Sequence, residues 1–126
     1  MKKPLLFLLT LLMMNWCAKA QMILEFDTNL SDGTTVTLPL NISVDVTVNW
    51  DDGNEEPFTT PGNKDHTYAL DGTYTVTIYG YLWKFGNGWA GYDNVDKLVR
   101  VLSFGDIGLF SLEGAFRNAI NLSQVP

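Results

Sequence analysis

The chain has 126 residues, with 8 basic and 14 acidic side chains and a formal charge of −6. That acidity, without a basic stripe or a Gly-rich phosphate loop, argues against nucleic acid, nucleotides and anionic membrane surfaces as partners. The length suits one domain with a modest core.

The first 20 residues read as a leader. Lys2 and Lys3 form a basic start, residues 5–14 are apolar but for Thr10, and Ala18-Lys19-Ala20 is a small-x-small cleavage site. This is the pattern of a secretory signal peptide, too short and wrongly flanked for a membrane span. Cleavage is expected after Ala20, so the mature chain starts at Gln21 and holds no transmembrane segment. The competing reading is a lipoprotein anchored through Cys17, but Met14-Asn15-Trp16 is a poor lipobox. Cys17 is the only cysteine. The mature chain therefore has no disulfide framework, which points to a bacterial rather than a eukaryotic secreted protein. Losing Lys2, Lys3 and Lys19 leaves 5 basic against 14 acidic residues, a charge of −9.

The mature chain begins as β-structure. Residues 22–26 are apolar enough for a strand, 29–33 (NLSDG) form a turn cluster, and 34–40 alternate with β-branched residues. Val44, Val46, Val48 and Trp50 make an inward set against Asp45, Thr47 and Asn49. Residues 57–60 suggest a short edge strand and 61–63 a loop. Tyr74, Val76 and Ile78 form a second inward face, and 81–85 a closing strand. Residues 86–94 read as a connector. Short strands with turn signals between them predict an antiparallel β-sandwich.

After Asp96 the pattern changes. Leu98-Val99-Arg100-Val101 returns as Leu122-Ser123-Gln124-Val125, an offset of 24 residues, with a turn between them that Ser111 can cap. Such a period marks a leucine-rich solenoid, in which one unit cannot bury its own face. The tail is thus expected to be the start of a longer array.

Two resemblances follow from these residues. Trp50-Asp51-Asp52-Gly53-Asn54, His66-Thr67-Tyr68 and Gly72-Thr73-Tyr74-Thr75-Val76-Thr77-Ile78 resemble the signature of PKD domains, which are immunoglobulin-like β-sandwiches. The first turn is shorter than the family's, which weakens any ligand role for it. Leu98, Val101, Ser103, Gly105, Ser111, Leu112, Ala115, Phe116, Asn121, Leu122, Val125 and Pro126 resemble the repeat of BspA-like leucine-rich surface proteins of bacteria. The expectation is a leader (1–20), a PKD-like sandwich (21–93) and the first unit of a leucine-rich-repeat solenoid (94–126). The resemblance implies a secreted or surface-exposed adhesion module that meets proteins or glycans on a host or neighbouring cell. The alternative is a spacer or glycan-binding accessory of a secreted degradative enzyme.

Candidate chemistry is sparse. Asp51, Asp52 and Asn54, with Glu55 and Glu56 beside them, gather oxygens that a calcium ion could use. Their spacing is not that of an EF-hand, and the plainer reading is an Asx-type turn. His66 is the only histidine, a poor zinc site alone. With no mature cysteine, no G-x-S-x-G elbow and no second histidine, no catalytic residue is expected. Tyr68 and Tyr74 suggest a tyrosine corner. Trp83, Trp89 and Tyr92 are candidates for a glycan-stacking surface, or else fill the seam between sandwich and tail.

Overall fold

The computed structural model describes residues 20–126, so the leader and Cys17 readings lie outside the described residues. The protein is mainly β, an antiparallel sheet consistent with a β-sandwich. Its strands are β1 (Met22–Asp27), β2 (Thr35–Asn49), β3 (Glu55–Phe58), β4 (Gly62–Thr67), β5 (Thr73–Phe85) and β6 (Leu98–Ser103). The sheet order is β3-β2-β5-β1-β6, with β4 also on β2. Val46 to Asn49 pair with β3 and Thr35 to Leu40 with β4, so these two short strands share the length of β2.

Two pairs of expected strands are continuous. Residues 34–40 and 44–50 belong largely to β2, which is kinked where Ile42 adopts φ 71° and the register with β5 shifts between Asn41 and Val44. The shift lets Val36, Leu38, Leu40, Val44, Val46 and Val48 all face the core. Residues 73–78 and 81–85 likewise merge into β5 through Gly80, at φ 109°. A Cβ there would collide with the carbonyl oxygen of Asp45, so only glycine lets β5 bend against β2. The loop expected at 61–63 instead opens β4, because Gly62 and Asn63 pair with Leu40 and Pro39. The edge strand expected at 57–60 is β3, which starts earlier.

The sheet curls until its far strand meets its middle one. Lys97, one residue before β6, sends Nζ to the carbonyls of Asp32 (2.9 Å) and Thr35 (3.2 Å) and to Oδ1 of Asn94 (3.2 Å). Asn94 in turn donates to the Thr37 hydroxyl at 3.1 Å. Lys97 is 0% exposed, and its ammonium is held by oxygen acceptors rather than a carboxylate. Burial of that charge is tolerable only because these acceptors replace water.

The tail shares the core. Leu98, Val101, Ile107 and Ala115 lie in one apolar cluster with Phe26, Trp50, Ile78 and Phe85. β6 adds antiparallel to β1, and residues 107–111 run beside the end of β5. The backbone there is tied by Leu82 N to Ile107 O (2.8 Å), Phe110 N to Trp83 O (2.8 Å) and Phe85 N to Ser111 O (3.1 Å). The segment expected to be a capped helical turn is a series of tight turns, and the Ser111 hydroxyl accepts from the Glu113 amide at 3.2 Å. No solenoid array is formed among the described residues. No helix among them is long and apolar enough to cross a membrane.

Candidate functional site

The first candidate region is the turn after β2. Asp51 takes φ 70° and Gly53 φ 87°, and the Trp50 amide donates to the Asn54 carbonyl at 3.1 Å. The acidic side chains are spent inside the turn. Asp51 Oδ2 accepts from the Thr75 amide (2.9 Å), and Asp52 Oδ1 from the Asn54 amide (3.1 Å). Asp52 Oδ2 accepts from His66 Nε2 at 2.6 Å, and Glu56 Oε1 accepts from the Trp50 indole N–H at 3.1 Å. Burial pulls the Asp52 carboxyl upward, but hydrogen bonds from His66 and the Asn54 amide outweigh it and hold the pKa below its ordinary 3.8. Asp51, Asp52 and Asn54 are therefore brought into one turn, each bonded to the polypeptide. Among the described residues, no three His, Cys, Asp or Glu side chains are grouped so as to hold a metal ion.

Behind this turn the rings form a ladder. His66 stacks on Trp50 (centroids 4.6 Å apart, 8° between planes) and meets Tyr68 edge-on at 4.7 Å. Tyr68 and Tyr74 are stacked. The Tyr68 hydroxyl donates to the Trp50 carbonyl and that of Tyr74 to the Leu70 carbonyl, both at 2.6 Å. Each tyrosine thus ties a ring to a turn, in the manner of a tyrosine corner. Burial, with the charges of Asp52 and Asp51 beside it, pushes the Tyr68 phenol well above its ordinary value, so it stays a donor. The signature residues of the sequence meet in space, as a structural lock with no open cleft.

The second candidate region is the junction between β5 and the tail. The structure does not gather Trp83, Trp89 and Tyr92 on one surface. Tyr92 is buried, edge-on to Phe85, with its hydroxyl donating to the Ala115 carbonyl at 2.6 Å. Burial raises its pKa as well. Trp83 is half-buried and stacks on Phe110 at 4.7 Å. Trp89 alone stands in solvent, 84% exposed, with the Arg117 guanidinium carbon 5.1 Å from its ring centre. It borders an open cleft of about 530 Å3 lined by Gly88, Leu112, Glu113, Gly114 and Arg117.

The junction contains residues that pattern reading passed over. Lys97 is one; the Lys–Asn correspondence at the repeat offset is the signal that could have found it. Asn121, 24 residues later, also reaches back, donating from Nδ2 to the Asp96 carbonyl at 2.7 Å. Glu113 and Arg117 are the others, and only their proximity to Trp89 distinguishes them.

Comparison of the chain with protein-family models, with curated proteins and with solved structures finds no match.

Proposed function

We propose that the chain is an exported bacterial interaction module without a catalytic role. In this reading residues 21–93 form a PKD-type immunoglobulin-like sandwich and residues 94–126 begin a leucine-rich solenoid. The whole serves adhesion to proteins or glycans at a cell surface. The observation that carries the reading is a parallel pairing in an otherwise antiparallel fold. Arg100 bridges Gln124 in parallel, 24 residues on, which is the offset of the sequence repeat. The Val101 amide donates to the Gln124 carbonyl and the Ser123 amide to the Val99 carbonyl, both at 2.9 Å. Parallel, in-register stacking of successive units is how solenoids grow.

A second parallel bridge, Lys84 to Ser111, supports the same idea one step earlier. The end of β5 stacks on the tail as a preceding unit would, so the sandwich acts as the cap of the stack. Exposed Phe110, Ile120 and Val125 then belong to the face on which the next unit sits. The buried Lys97 and the half-buried Asn121 occupy matching positions and do matching work, each satisfying a backbone carbonyl of the layer before it.

A glycan-binding or spacer accessory of a secreted degradative enzyme is the second reading, favoured by the solvent-exposed ring of Trp89. The test is direct. The chain expressed with its own leader is expected outside the cell with Gln21 as its first residue, and beads coated with it should adhere to cell surfaces. Beads that behave like uncoated ones contradict adhesion. Sequencing the gene past codon 126 separates the two readings: further units of similar period favour adhesion, a catalytic domain the accessory.

A further inference from the structure

Trp89 is held in solvent by the backbone rather than by its side chain. It lies in a 3-10 turn, Gly88–Ala90, whose Gly88 amide donates to the Glu113 carbonyl at 2.9 Å. On the other side of that contact is Gly114, at φ 76°. A Cβ on Gly114 would collide with the Gly88 carbonyl oxygen and amide nitrogen, so the two turns touch backbone to backbone. Tyr92 pins the same tail turn from below through the Ala115 carbonyl. The result is a large apolar ring fixed at the rim of a cleft at the cost of leaving it in water. A ring that served only the core would be turned inward, as Tyr92 is, eleven ångström-scale contacts away in sequence terms being no obstacle to that choice.

The polar groups beside the ring define what would sit there. Arg117 lies over the indole and offers only donors, and Glu113, which also lines the cleft, offers only acceptors. Among the described residues Arg117 forms no ion pair with a carboxylate. A ligand that suits a flat apolar ring, a donor and an acceptor at once must have an apolar face and hydroxyls that both give and take hydrogen bonds. A pyranose sugar has both. The chain's formal charge of −6 disfavours a polyanionic glycan.

We propose that the Trp89 cleft is a carbohydrate subsite that takes a neutral hexopyranose unit. The sugar ring stacks on the indole, Glu113 accepts from its hydroxyls and Arg117 donates to them. The subsite deepens the interaction-module reading and rests on it, but it does not depend on the tail being a solenoid.

The test is titration of the protein with cellotriose, chitotriose and a galacturonate trimer, followed by the indole N–H signals in NMR spectra. A neutral trimer should shift the Trp89 signal and leave that of buried Trp50 in place. Trp89→Ala, at an exposed position, should retain the fold and weaken binding by about tenfold or more, as loss of one stacking platform implies. Glu113→Gln and Arg117→Ala should each weaken it by a few fold, as loss of one charged hydrogen bond implies. Absence of any Trp89 shift at millimolar neutral trimer, or equal binding by Trp89→Ala, overturns the subsite. So does binding of the galacturonate trimer alone, which would assign the cleft to acidic sugars. Each of these results leaves the adhesion assay with coated beads unaffected, so failure of the subsite is distinguishable from failure of the broader reading.

Discussion

Between Trp50 and Tyr74 the rings of the ladder lie against one another, and their polar ends are bonded to the turns around them. Between Trp83 and Arg117 the chain is as aromatic, yet Tyr92 is buried and Trp89 stands free. The difference lies in the backbone. In the first region the rings sit on or beside strands, whose alternation fixes which side each faces. In the second they sit on glycine-rich turns that are fastened by main-chain contacts, so a side chain can point outward without loosening the fold. The first region is a lock, and the second is a platform.

The largest expected effect is at the junction. Lys97→Met keeps most of the buried bulk but leaves the Asp32 and Thr35 carbonyls without their donor. Chemical denaturation should show a loss of about 2–4 kcal/mol, the cost of leaving buried acceptors unpaired. Next is Gly114→Ala, where a Cβ meets the Gly88 backbone and φ is positive. A loss of about 2–3 kcal/mol is expected from overpacking and strain, together with a change in the Trp89 emission spectrum. An unchanged spectrum would break the idea that backbone contact fixes the platform.

In the lock the effects are smaller. Tyr68→Phe removes only the hydroxyl that donates to the Trp50 carbonyl and should cost about 1–2 kcal/mol in thermal or urea unfolding. The mildest is pH-dependent. The folded pKa of Asp52 lies below its ordinary 3.8, so its contribution is present above that value and is lost as pH falls through the lower folded value. Acid unfolding of the wild type should thus steepen below about pH 4, and Asp52→Asn should flatten that part of the curve. An identical acid limb in both proteins would remove Asp52 from the lock.

Much of the lock was legible in the sequence. Val44, Val46 and Val48 alternate, as do Tyr74, Val76 and Ile78, and the pleat carries such a pattern directly into a buried face. The kinks were not legible. Ile42 at positive φ is an unusual residue for a bulge, and nothing before the fold says that β2 and β5 each run through theirs. Trp89 and Tyr92 could not be told apart because the segment between Gly86 and Asn94 has no period to assign sides. Lys97 was hidden by its own type, since lysine is almost never fully buried. The 24-residue offset was readable, and the structure pairs its two copies through Arg100 and Gln124.

Amide hydrogen exchange at Val101 and Ser123 tests the central claim most directly, because each of these N–H groups donates across the parallel pairing. The account predicts that both exchange slowly, well behind the exposed turn at Asp52 and Gly53. Fast exchange at both, with the β1–β5 amides still protected, would mean that the two copies of the repeat do not stack, and would contradict the account.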